Sequence, residues 1–185
     1  MPMNLLHRKL CASRRWARMV AEHLPPSLDG IDLGDDVLEI GPGFGATTRV
    51  LVDLVPRLTA LEIDADSVRG LRGEFGDRVE IVHGDGTRMP FPDGRFSAVV
   101  CFTMLHHVPS PDLQDKLFAE ARRVLRPDGL FRGVDSQPSL MFRLLHIGDT
   151  MVVLDPATLA GRLQQAGFAE ATVHPADGIL AFTAH

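Results

Sequence analysis

The stretch Val37-Leu38-Glu39-Ile40-Gly41-Pro42-Gly43-Phe44-Gly45 constrains this chain more than any other. A short apolar run of β character ends beside an acid and passes into three alternating glycines. Ala46-Thr47-Thr48-Arg49-Val50-Leu51 then opens a helical pattern. Strand, glycine turn and helix together spell a nucleotide-binding βα unit, because glycine lets the backbone turn tightly and lets a ligand approach it closely. Gly41-x-Gly43-x-x-Ala46 also satisfies the dinucleotide fingerprint, which tolerates Ala in third place.

Glu39 separates the two readings. A dinucleotide would bring a pyrophosphate to the turn, and a carboxylate two residues before the first glycine repels it. A ligand carrying an ammonium and a sulfonium is attracted instead. S-adenosylmethionine has that character: an adenosine without phosphate and a cationic tail.

The length of 185 residues suggests one domain, and 45 % apolar residues suffice for a full core. The net charge of −5 argues against gripping a phosphate backbone. Cys11 and Cys101 lie far apart with no CxxC partner, so a reducing, cytoplasmic setting is expected, with no disulfide or zinc framework. No apolar run reaches membrane-spanning length, and the start lacks the apolar core of a secretion signal.

Residues 1–24 hold five of the 19 basic residues and one of the 24 acidic ones. Leu6, Leu10, Ala17, Val20 and Leu24 recur at helical spacing with Arg8, Arg15 and Arg18 on another face, which predicts one amphipathic helix ended by Pro25-Pro26. Residues 1–34 are thus a helix and linker, and 35–185 the main body of a single domain. Strands are expected at 37–40, 58–63, 79–82, 96–102 and 130–134, and a closing antiparallel hairpin at 171–174 and 179–184. Helices are expected after the glycine turn (stopped by Pro56), after Asp64, after Ser110-Pro111 and after Asp155-Pro156, while Pro127-Asp128-Gly129 reads as a turn. This alternation predicts an α/β fold, a three-layer Rossmann-like sandwich around a mostly parallel sheet.

In such sheets ligands bind beyond the carboxyl ends of the strands, where strand order reverses. Glu62 lies 21 residues after Gly41, where a carboxylate can accept both ribose hydroxyls. Asp85, between Gly84 and Gly86, can accept an adenine amino group, or merely make an Asx turn. His106 and His107 follow the fourth strand at the mouth of the site and are candidates for a general base. Asp135 at the end of the fifth strand is another polar group there. His7, His23, His83, His146, His174 and His185 are scattered without metal-ligand spacing, and no metal is expected.

The segments VLEIGPGFG (37–45), LEID (61–64), GDGTRMPFPDGRFSAVV (84–100), MLHHV (104–108), RVLRPDG (123–129) and AGF (166–168) resemble the class I S-adenosylmethionine-dependent methyltransferases, over about residues 35 to 185. The resemblance implies a seven-stranded sheet whose last strand is antiparallel. It also implies roles. Glu39 with Gly41, Pro42, Gly43 and Gly45 would hold the methionine end, Glu62 the ribose and Asp85 the adenine, with Ile63 and Gly86 also in the cofactor site. The backbone at Phe102 and Thr103 would help hold the amino-acid tail.

The acceptor pocket falls to the N-terminal helix and to the apolar, poorly periodic residues 136–154, which suits a small, partly apolar acceptor as readily as a plain core. A rival reading is an rRNA adenine dimethyltransferase, whose glycine stretch looks similar. Those enzymes carry an Asn/Asp-x-Pro-aromatic motif after the fourth strand to hold a flipped base, whereas Cys101-Phe102-Thr103-Met104 stands here. A dehydrogenase on the same fold is disfavoured by Glu39 and Asp85. A cofactor-binding module without its own turnover is the non-enzymatic reading.

Overall fold

The computed structural model describes residues 4–176 and 178–185. Seven strands form one sheet in the order β3-β2-β1-β4-β5-β7-β6. They are β1 (Asp36–Ile40), β2 (Arg57–Glu62), β3 (Glu80–His83), β4 (Phe96–Phe102), β5 (Leu125–Ser136), β6 (Ala171–Ala176) and β7 (Ile179–Ala184). The pairs from β3 through β5 are parallel, and β7 runs antiparallel to both β5 and β6. Strand order reverses between β1 and β4, so the crevice expected of a doubly wound sheet opens there. The α/β sandwich with an antiparallel last strand is as the sequence indicates.

Side chains alternate across the sheet with the period of two that a strand imposes. Leu38, Ile40, Val99 and Cys101 face one apolar layer with Leu117, Phe118, Leu159 and Leu163. Those last four lie on α5 (Pro111–Val124) and α7 (Pro156–Gln165). Val37, Ala98 and Val100 face the other layer with Leu51, Val68, Leu71 and Phe75, and with Val20 and Leu24. These belong to α3 (Thr48–Leu51), α4 (Ala65–Phe75) and α2 (Arg14–Ser27). Asp64, Ser110 and Asp155 cap their helices as expected, each accepting a backbone N–H of the first turn.

The N-terminal segment departs from the expected single helix. It breaks into α1 (Leu5–Cys11) and α2, because the Ser13 hydroxyl accepts the Trp16 N–H and starts a new helix. Pro25 and Pro26 lie inside the last turn of α2 rather than ending it, each giving up one backbone N–H bond just before the helix stops at Ser27. The helix after the glycine turn is a single turn, α3. β5 begins at Leu125 rather than at 130. Its register jumps from Phe96↔Leu125 to Ala98↔Leu130, so the Pro127-Asp128-Gly129 turn is an excursion inside the strand. The hairpin turn expected around Pro175–Gly178 includes Asp177, which lies outside the described residues.

The sheet is tightest where β5 meets β7. A Cβ on Gly133 would lie 2.2 Å from Phe182 ring carbons and 3.1 Å from Cys101 Sγ. Gly133→Ala should therefore destabilise the fold by about 1–3 kcal/mol through overpacking. Urea denaturation checks this, and an unchanged midpoint would show that Phe182 repacks freely.

Candidate functional site

The floor of the crevice is the loop between β1 and α3. Gly43 (φ 55°) and Gly45 (φ 75°) both sit in the left-handed region. A Cβ on Gly45 would lie 2.9 Å from Leu71 Cδ2 and 3.1 Å from the Phe75 ring, so this glycine lets the loop lie down on α4. A Cβ on Gly43 would meet nothing within 4 Å, so that face of the loop is open. Gly41 adjoins the Met104 side chain, which ties the loop to the chain leaving β4. The N-terminal segment lies alongside: Cys11, Ala12, Ser13 and Ala17 line a cavity with Gly43 and Phe44.

Glu39 is 1 % exposed. Strand alternation turns it toward the α3 layer, where the Thr47 hydroxyl donates to one oxygen and Thr48 Oγ1 donates to the other at 2.7 Å. Burial raises its pKa to about 7 despite those two donors, and the Glu62 charge adds to the rise. Glu39 thus lies beneath the glycine loop, fastened to the start of α3.

Glu62 closes the loop from the β2 side. One oxygen accepts the Gly43 N–H at 2.9 Å and the other the Asp64 N–H at 2.8 Å. Each carboxylate oxygen has two acceptor positions, so two further hydroxyls can still be accepted. Ile63 beside it is a half-exposed apolar surface. Asp85 is exposed, and its Oδ1 accepts the Thr87 N–H (2.8 Å) and hydroxyl (2.9 Å), the Asx turn that flanking glycines permit. It lines an open groove with His83, Gly84, Thr87, Met89 and Lys116. Gly86 packs on Leu117 and Ile40.

At the end of β4, Phe102 is buried and Thr103 has φ 52°, a rare conformation for a β-branched residue. Its N–H donates to Val134 O at 2.7 Å, which pins the strained turn to β5. Such strain costs about 1–3 kcal/mol and clusters at functional positions.

Beyond Thr103 the chain makes a 3₁₀ turn, Leu105–His107, and four histidines gather. His106 Nδ1 lies 2.5 Å from Asp135 Oδ1, and the His106 N–H donates to Asp135 Oδ2 at 3.0 Å; both side chains are almost fully buried. His107 Nδ1 faces Thr150 O at 3.3 Å. Burial, with the His106, His7 and His146 rings around it, pushes His107 down to about 3, so it is neutral. His146, just past α6 (Leu140–Leu145), places Nδ1 2.7 Å from Phe142 O and Nε2 3.2 Å from His106 Nε2. His7, on α1, pairs through Nδ1 with Asp149 at 2.8 Å. Asn4 fastens the same segments, donating from its side chain to Leu145 O (2.7 Å) and Ile147 O (3.1 Å).

Sequence reasoning singled out His106, His107 and Asp135 but not His7, His146 or Asp149. These lie 40 or more residues from His106, and no spacing marks them. The one hint was that residues 1–24 and 136–154 both lacked a place in the sheet.

The "Methyltransferase domain" family matches residues 38–132, just over half of the chain. The chain belongs to the class I S-adenosylmethionine-dependent methyltransferases. Sterol 24-C-methyltransferase ERG6B of Gibberella zeae is 35 % identical over 116 residues, covering 60 % of this chain and 30 % of that protein. Ribosomal RNA small subunit methyltransferase A of Synechococcus sp. is 40 % identical over 94 residues, 47 % of this chain and 34 % of that protein. The chain thus spans about a third of the length of these curated relatives. The DhpI-SAM-HEP complex has a TM-score of 0.75 at 25 % identity, over 98 % of this chain and 95 % of that one. The PH0226 protein of Pyrococcus horikoshii shares the fold, with a TM-score of 0.77 at 18 % identity over 95 % and 93 % of the chains.

The family's cofactor is S-adenosylmethionine, and the crevice suits it. An open glycine face, a carboxylate with spare acceptor positions and two further acids fit a ligand with hydroxyls and a cationic tail better than one with phosphates.

Glu39 also sets a pH dependence. Its folded value of about 7 lies above the usual 4.5, so the folded form binds the proton more tightly. The associated stability is fully present below about pH 4.5 and is lost as pH rises through 7, by about 3 kcal/mol. Glu39→Gln should remove this component, so its stability relative to wild type rises between about pH 5 and pH 9. Urea melts at both pH values measure it, and parallel losses in the two proteins would show that Glu39 has the same pKa folded and unfolded.

Proposed function

We propose that the enzyme moves the methyl group of S-adenosylmethionine to a small, partly apolar acceptor, with His106 as general base and Asp135 as its positioning partner. The observation that carries this reading is the buried Asp135–His106 pair at 2.5 Å, at the carboxyl ends of β4 and β5. The bound cofactor supplies an electrophilic methyl carbon on a sulfonium, and transfer is an in-line displacement that needs alignment and a dry site.

The chain's own residues supply both. Glu62 would hold the ribose hydroxyls through its spare acceptor positions, Ile63 and Gly86 would lie beside the cofactor, and Asp85 would accept the adenine amino group. Glu39, Gly41, Pro42, Gly43 and Gly45 shape the floor under the methionine end, with the backbone at Phe102 and Thr103 beside it. A carboxylate can only accept from His106 Nδ1, so the proton sits there and Nε2, which faces His146 Nε2 at 3.2 Å, is left as the basic atom. His107, held neutral, is the lesser candidate. Phe142, whose ring centroid is 5.0 Å from that of His106, gives the mouth an apolar wall.

Two features weigh against an rRNA substrate. Cys101-Phe102-Thr103-Met104 lacks the proline-aromatic clamp for a flipped base, and the chain is acidic overall. No helix among the described residues is long and apolar enough to cross a membrane, and the reading sets the enzyme in the cytoplasm with its two cysteines free.

The deciding experiment is a screen of small acceptors with methyl-labelled cofactor, followed by variants on whichever acceptor is methylated. His106→Ala should lower kcat about 10²- to 10⁴-fold with S-adenosylhomocysteine affinity kept. Equal loss of turnover and cofactor affinity would make the histidine structural. Separately, Glu62→Ala should weaken S-adenosylhomocysteine binding by about 1–3 kcal/mol in calorimetry. Unchanged affinity would remove the ribose assignment.

A further inference from the structure

We propose that His7, His107 and His146 form a binding site for one divalent first-row cation of the zinc class, which locks the N-terminal helix onto the mouth of the crevice. One ring nitrogen from each of the three lies within 4.8 Å of the others. The hydrogen bonds decide which nitrogen is free to bind. His146 Nδ1 and His107 Nδ1 face the carbonyls of Phe142 and Thr150, and His7 Nδ1 faces the Asp149 carboxylate. Carbonyls and carboxylates only accept, so each Nδ1 carries its ring's proton and each Nε2 presents a lone pair. A metal-binding histidine is oriented in this way, with one nitrogen tied to an oxygen and the other free to ligate.

Charge and lone pairs both call for a cation. Asp149 and Asp135 have side chains 1 % and 2 % exposed, and the ion-pair partner of each is an imidazole. Buried charges of that kind need compensation. His106 and His146 turn Nε2 toward Nε2 at 3.2 Å, although each ring's other nitrogen faces an acceptor. Two extra protons, one on His7 and one on His106, would satisfy both demands. They would also place two imidazolium rings against one neutral ring, with centroids 4.3 Å and 5.0 Å from that of His146. One divalent cation supplies the same two charges through neutral ligands.

Imidazole donors suit zinc, copper, nickel or iron rather than magnesium or calcium. Three protein ligands leave a position for water or for an acceptor oxygen, as in catalytic zinc sites. That last role rests on the methyl-transfer reading. The binding itself does not.

The test uses the full chain, freed of metal with a chelator and titrated with ZnCl₂ in a calorimeter. One equivalent should bind, and saturating zinc should raise Tm by about 5–10 °C. His7→Ala and His146→Ala should each weaken binding at least about 100-fold, and Asp149→Asn about 10- to 100-fold. His174→Ala, on β6, should bind as wild type does. Circular dichroism and S-adenosylhomocysteine affinity on the same samples report folding and the cofactor site, so failure of the metal proposal is separable from failure of the methyltransferase reading. Absence of saturable uptake by the folded wild type, or wild-type affinity in Asp149→Asn and His146→Ala, would overturn the site and leave shared protons as what holds the rings together.

Discussion

The crevice depends on one buried carboxylate. Glu39 could not remain in an apolar layer without partners, and the hydroxyls of Thr47 and Thr48 reach it only because the intervening glycines fold the chain back over the strand end. Satisfying that acid is thus the same event as forming the loop. Glu62 repeats the device from the next strand by capturing the Gly43 N–H. Two acidic side chains hold the loop from below and from the side, and Glu62 keeps acceptor positions to spare, which suits hydroxyls and a cation better than a phosphate.

The histidine cluster beyond β4 and β5 is assembled differently. His7, the His106–His107 pair, Asp135, His146 and Asp149 come from four separate stretches, joined by hydrogen bonds rather than by a continuous apolar layer. α6 buries none of its residues: Leu140, Met141 and Leu144 on it stay exposed, as does Ile147 just beyond it. Polar contacts through Asn4, His7 and Asp149 therefore do much to fasten α1 and the segment after β5. Contacts of this sort open locally at lower free energy than a packed core does.

The sheet was legible in the sequence because its strands are short apolar runs bounded by caps and glycines. β4 needs no partner to be recognised, since Ala98-Val99-Val100-Cys101 is apolar on both faces. The break at Ser13 was not legible. A capping serine inside a helical pattern looks like any polar position until the chain on either side is seen to change direction. The excursion at Pro127–Gly129 was recognised as a turn, but not as one lying inside a strand, because bulges depend on the partner's register. Glu39, Glu62 and Asp85 stood out in the sequence by charge, position and neighbouring glycines. What each of them already binds could not, because Thr47, Gly43 and Thr87 become partners only once the loops close. The histidine cluster lay furthest out of reach, since local periodicity carries no information about side chains brought together from opposite ends of a chain.

The break between α1 and α2 carries a consequence of its own. α2 is anchored by Val20 and Leu24 in the core, whereas α1 buries one residue, a histidine. A swing about Ala12 and Ser13 could therefore uncover the entrance at the expense of polar contacts, with no apolar layer disturbed. On the reading proposed above, selection on residues 4–11 would retune which guests are admitted while the glycine loop stays as it is.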